Sequence, residues 1–199
     1  STIESERNDK RAYSMSRLLK TMCREDTFGL SRLGEPEQVA SITPRSLYVH
    51  YRNILRTSPM EISYVGSAEP HQVAHLLMPL LGRLDRAPLA LENQTPFQPC
   101  EGSDVTEAMD VAQGKLCLGF TTPITNRSED YAAMVVMNNV FGAGMTSKLF
   151  VNVREKLSLC YYAGSGYYGS KGIVTVSSGI DECNYETAKA EILRQLQLT

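Results

Sequence analysis

FGAGMTSKLFVNVREKLSLCYYA, residues 141–163, is the stretch on which the fold turns. Gly142-Ala143-Gly144 stops whatever helix precedes it, and Thr146 or Ser147 starts another, carrying Leu149, Phe150, Val153 and Leu157 at helical spacing. From Cys160 to Tyr168 the residues become aromatic, and a second β-branched run, Ile173 to Ser178, follows Gly169-Ser170-Lys171-Gly172. Two such runs about a glycine-bounded turn form a hairpin.

Outward from this centre, Lys115 to Thr121 reads as a strand. Ser128 is placed to cap a helix with Glu129 and Asp130 in its first turn and Tyr131, Met134, Val135 and Phe141 toward a core. Tyr185, Ala188, Ile192, Leu193 and Leu196 mark a closing amphipathic helix. Toward the start, residues 3 to 24 read as one amphipathic helix ended by Phe28-Gly29, and Pro36 opens a short helix. Thr43-Pro44 is an N-cap followed by proline at the first helical position. Met60 to Gly66 alternates as a half-buried strand does, and a helix follows from His71 to about Leu84. Residues 85 to 105 collect Pro88, Pro96, Pro99, Asn93, Gly102 and Ser103, the composition of a connection. This order predicts an α+β fold: a largely antiparallel sheet with helices packed on one face.

Composition sets the class. With 42% hydrophobic and 21% charged residues in 199, the chain is of ordinary globular make-up and long enough to bury a core. A net charge of −2 without a basic run excludes a nucleic-acid footprint. No membrane span is expected either, since no stretch approaches the roughly 20 apolar residues required. Cys23, Cys100, Cys117, Cys160 and Cys183 form no C-x-x-C pair, so reduced, mostly buried thiols and a cytoplasmic location are expected. The start lacks a methionine and an apolar leader, which suggests a fragment of a longer parent.

Local motifs supply little chemistry. His71 and His75 stand four apart on a helix, the spacing of a zinc pair, yet Ala74 occupies the place of a catalytic glutamate and His50 is the only other histidine. A solvated helix face is the favoured reading of that pair. Gly164-x-Gly166-x-x-Gly169 matches a dinucleotide fingerprint only in letters, because a strand rather than a helix follows it.

The ordered run from Phe141 to Ala163 resembles the second-repeat signature of the pitrilysin/insulinase metallopeptidases, in which a glycine turn and a Ser-(Lys/Arg)-Leu-Phe helix precede Arg-Glu-Lys-Leu-x-Leu-x-Tyr. Gly34 to Leu84 resembles the close of that family's first repeat. The opening, with Asn8-Asp9-Lys10-Arg11 and Met22-Cys23, is similar to bacterial inactive-subunit members.

The resemblance implies the organisation: 1–84 as the C-terminal part of one repeat, 85–110 as connection, and 111–199 as the N-terminal part of the next. If the repeats are alike, the two pieces form one compact unit in permuted order. It also implies that Arg154 and Tyr161 reach toward a zinc site, position a peptide backbone and donate hydrogen bonds to a developing oxyanion, beside a turn shaped by Gly142 and Gly144. The H-x-x-E-H motif is missing from these residues. Hydrolysis is therefore not expected of this chain alone, and zinc is expected only in an active sibling subunit or a preceding segment. The expected role is non-catalytic contact with a peptide substrate, in partnership with that sibling or segment. A structural or assembly role and a small-molecule-binding α+β regulatory domain are the alternatives.

Overall fold

The computed structural model describes residues 2–90 and 101–199. The chain divides into two compact units, Ser1–Glu35 with Thr95–Thr199 and Pro36–Gln94. The first unit opens with α1, Thr2–Asn8, and α2, Lys10–Met22. The sequence pattern reads these as one helix. Asp9 divides them, because its carboxylate accepts from the backbone N–H groups of Arg11 and Ala12 at 3.0 and 3.1 Å and so caps a new start. Beyond α2, Asp26 accepts from Phe28 N–H at 2.8 Å and opens a short 3₁₀ turn, Thr27–Gly29.

The smaller unit holds α3 (Pro36–Ala40), α4 (Pro44–Thr57) and α5 (Pro70–Gly82). Thr43 and Ser46 close the start of α4 reciprocally. Ser46 N–H donates to Thr43 Oγ1 at 3.1 Å and Thr43 N–H to Ser46 Oγ at 2.9 Å. Arg86 ties the end of this helix down by donating to the carbonyls of Leu55 and Ser58 at 2.8 and 2.7 Å. The strand predicted over Met60 to Gly66 is not formed, since no described segment pairs with it and alternation alone supplies no ladder. None of the described residues of this unit is buried.

The larger unit contains the core. Strands β1 (Gly114–Thr121), β2 (Cys160–Tyr168) and β3 (Ile173–Ile180) form an antiparallel sheet in the order β1-β3-β2. Central β3 is buried at every position, as a strand covered on both faces must be. Leu116, Leu118 and Phe120 of β1 and Val176 and Ile180 of β3 join Phe141, Leu149, Val153, Ala188 and Ile192 in one cluster. Helices α6 (Tyr131–Asn138) and α7 (Tyr185–Gln197), with a wide-turned π-helix at Leu149–Lys156, supply the helical layer expected over the sheet. On the alternate positions of β1, Cys117 Sγ donates to Ser14 Oγ at 3.3 Å, and a Cβ on Gly119 would run into Met22 and Leu18, so α2 covers the other face.

Two boundaries differ from the sequence reading. Helix α6 starts at Tyr131 and not at Ser128, because Ser128 Oγ is taken by Thr125 N–H at 2.9 Å in the preceding turn. The hairpin is longer than predicted, β3 running to Ile180. Its turn needs Gly172, which has φ +63° and is crowded by the carbonyls of Thr122 and Ile124.

Candidate functional site

The segment that carries Arg154 and Tyr161 is built from its glycine turn upward. After α6 the chain widens into a π-helical turn, Asn139–Ala143, that presses Gly142 against β2. A Cβ there would stand 2.6 Å from Ser165 Oγ, 2.7 Å from Ser165 N and 2.7 Å from Leu149 Cδ1. Ser165 in turn donates to Asn138 Oδ1 at 2.8 Å, which fastens the end of α6 to the same strand. Gly144 is different in kind: it is exposed, its φ is −149°, and nothing lies within 4 Å of where a Cβ would be.

Ser147, buried, accepts from Phe150 N–H at 3.3 Å and starts the π-helix. Leu149 and Val153, both 0% exposed, drive one side of this helix into the core and leave Arg154 at its margin. There the guanidinium lies 4.6 Å from the centroid of the Phe150 ring and 3.0 Å from Glu155 Oε1. The helix ends where Ser158 takes φ 51°, a left-handed stop that glycine usually fills.

The pairing Cys160↔Ile180 then skips to Tyr162↔Gly179, so Tyr161 is the extra residue of a β-bulge. A bulge re-aims the side chain it carries. Tyr161 is 59% exposed, and its hydroxyl donates to Asp181 Oδ1 at 3.3 Å. Arg154 Nε donates to the Tyr161 carbonyl at 2.9 Å. The two residues singled out by the sequence are thus joined directly, the arginine bracing the backbone of the bulge that presents the tyrosine. Arg154 keeps further N–H donors, because a guanidinium has five and these contacts occupy only part of them.

Asp181 has no place in the sequence reading, and Phe150 has one only as an apolar position of the helix, not as a partner of Arg154. Phe150 was open to discovery as the i, i+4 neighbour of Arg154. Asp181 is met only through the β2–β3 register and the bulge.

The other candidates fall elsewhere. His71 and His75 are exposed on α5 and His50 is exposed on α4, and among the described residues no three His, Cys, Asp or Glu side chains are grouped to hold a metal ion. Gly164 and Gly166 lie within β2 and Gly169 in its turn, with no helix opening on them, so they space a strand. Cys160 is buried, which pushes its thiol pKa up, while Cys183 is exposed against the expectation of mostly buried thiols; Cys100 lies outside the described residues. No helix among the described residues is long and apolar enough to cross a membrane.

An antiparallel sheet under a glycine-turned π-helix, with Arg154 and Tyr161 at its margin, defines an α+β scaffold of the class that the family comparison identifies. The chain belongs to the Peptidase M16 inactive domain family, whose model matches residues 41–199. It is 36% identical over 195 residues to a probable inactive metalloprotease, YmfF, of Bacillus subtilis, covering 98% of this chain and 46% of that protein. An uncharacterized zinc protease of Rickettsia felis is 26% identical over 183 residues, covering 87% of this chain and 43% of that protein. Among solved structures, a conserved protein from Enterococcus faecalis superposes with a TM-score of 0.83 at 30% identity, covering 98% of this chain and 46% of that one. A peptidase M16 inactive domain from Pseudomonas fluorescens shares the fold, with a TM-score of 0.74 at 18% identity, covering 98% of this chain and 48% of the other. The chain thus spans less than half the length of the relatives it matches.

Proposed function

We propose that this chain is a non-catalytic, peptide-contacting portion of a zinc metallopeptidase-type protein, with Arg154 and Tyr161 as the contact residues. The observation that carries this reading is the bond from Arg154 Nε to the Tyr161 carbonyl at the bulge, which ties an incompletely used guanidinium to the backbone of the residue that bears an exposed phenol. Such groups hydrogen-bond to peptide amides and need no metal to do so. Zinc belongs, in this reading, to an active sibling subunit or a preceding segment that supplies the hydrolytic centre.

Two measurements test it. Binding of a fluorescein-labelled, alanine-rich unstructured peptide is followed by anisotropy for the wild type, Arg154→Ala and Tyr161→Phe. Loss of a charge-assisted hydrogen bond weakens binding by roughly tenfold for Arg154→Ala, and loss of a neutral one by roughly threefold for Tyr161→Phe. Elemental analysis of the purified chain is expected to find zinc well below one equivalent; stoichiometric zinc would restore His71 and His75 as ligands and overturn the assignment.

An assembly role without peptide contact is the second reading. It is supported by the exposed Leu47 and Tyr51 of α4 and Leu76 and Leu80 of α5. Peptide binding unchanged in both variants would favour it.

A further inference from the structure

The family resemblance casts Tyr161 as a hydrogen-bond donor to a carbonyl oxygen. The structure gives its one hydroxyl proton another destination, Asp181 Oδ1 at 3.3 Å. Asp181 stands at the N-cap of the 3₁₀ turn Glu182–Asn184, where an aspartate commonly turns its carboxylate onto the N–H groups of its own turn. Here the side chain makes no such bond. It is turned instead toward the bulge, and the Cys160↔Ile180 pairing is what brings it there.

We propose that Asp181 is a positioning residue that sets the polarity of the contact site, so that Tyr161 faces a bound peptide as an acceptor and Arg154 as the donor. The inference rests on the peptide-contact reading above. A phenol has one proton to give; once Asp181 holds it, only lone pairs remain for a ligand. A guanidinium has only donors. The two together offer one acceptor and one donor group at the margin of a single strand, the complement of the N–H and C=O that an extended backbone exposes. The class of ligand is therefore an extended peptide with a free amide N–H at the Tyr161 position, and segments whose amides lack hydrogen, proline-rich ones included, are disfavoured.

The test compares two fluorescein-labelled alanine-rich peptides, one unmodified and one with alternate amides N-methylated, on the 199-residue chain. Each is titrated against the wild type, Arg154→Ala, Asp181→Ala, Asp181→Asn and Tyr161→Phe, every variant first shown by circular dichroism to fold as the wild type does. The wild type is expected to prefer the unmodified peptide by roughly threefold, the factor of one neutral hydrogen bond. Tyr161→Phe removes the acceptor and lowers the preference. Asp181→Ala frees the hydroxyl to donate to a carbonyl, so the preference falls while binding of the N-methylated peptide improves. Asp181→Asn keeps an acceptor for the phenol and retains the preference.

Comparing the preference between variants cancels any effect of methylation on the free peptide. A preference in Asp181→Ala equal to that of the wild type overturns the proposal, as does a uniform loss of affinity for both peptides, which marks a merely structural role. If neither Arg154→Ala nor Tyr161→Phe changes binding of either peptide, the peptide-contact reading itself has failed.

Discussion

At the scale of single residues, the two glycines that read alike in the sequence have opposite demands. Gly142 is glycine because Ser165 and Leu149 occupy the space of a Cβ, and one of the clashing atoms is backbone, which cannot rotate away. Gly142→Ala is expected to cost about 1–3 kcal/mol, the range for forcing atoms into a packed site. Gly144 has an extended backbone and open surroundings, so Gly144→Ala should lie within about 0.5 kcal/mol of the wild type. Urea unfolding of the two variants beside the wild type decides the matter, and equal destabilisation would refute it. The letters G-A-G mark a turn but not which glycine bears the close approach, because that depends on a strand more than twenty residues downstream. The same holds for the candidate site. Arg154 and Tyr161 were legible as a pair through an ordered motif, and their direct link adds the physical reason for the spacing. Asp181 was not legible, since only the register of β2 on β3 and a one-residue bulge bring it to the phenol.

At the scale of elements, most helices and all three strands could be read from periodicity and caps, and the misreadings have local causes. Asp9 looked like one more charge on a helix but is the N-cap that divides it. Met60 to Gly66 has the alternation of a strand and lacks a partner. What holds the β2–β3 hairpin to the loop after α2 is an ion pair, Lys171 Nζ to Asp26 Oδ2 at 2.5 Å, with both side chains less than one-fifth exposed. The ring of Phe28 meets that of Tyr168 edge-on beside it, centroids 5.5 Å apart. The Asp26 carboxyl is held below its ordinary value by the Lys171 hydrogen bond first and the Phe28 N–H second, against the opposing effect of burial. A native pKa depressed in this way stabilises the fold fully above the unfolded-state value near 3.8, and the stabilisation disappears as pH falls through the lower native value. Asp26→Asn is accordingly expected to cost about 1–2 kcal/mol at pH 7 and to lose less further stability on acidification than the wild type does. Urea midpoints at pH 7 and at about pH 3 test this; parallel pH profiles would show that the pair contributes nothing. On α4, Thr43→Ala removes one side of the capping box and should cost about 1 kcal/mol of helix stability, visible as a lower mean ellipticity transition.

At the scale of the whole chain, burial is distributed unequally, and that sets where the molecule opens. Every buried residue described lies at or beyond Leu116, in β1–β3, the helices packed on them and the turns between these elements, whereas the described residues of Pro36–Gln94 include none. Nothing in the residues signals this difference, because α4 and α5 carry as many apolar side chains as a core-facing helix does. Leu47, Tyr51, Leu76 and Leu80 all remain exposed. Helices with little tertiary burial draw their stability from propensity and caps alone, and short helices are marginal on those terms. Hydrogen exchange should therefore be sharply two-tiered. Amides of Pro44–Thr57 and Pro70–Gly82 are expected to exchange through local opening, orders of magnitude faster than those of Val174–Gly179 in the centre of the sheet, whose opening requires global unfolding. Exchange followed by mass spectrometry reads both sets in one experiment. Comparable protection would mean that the smaller unit is covered in solution by something other than its own residues, and would turn the assembly reading into the stronger of the two; rapid exchange confined to the smaller unit leaves Arg154 and Tyr161 on the rigid part of the chain, where a contact site needs its geometry held.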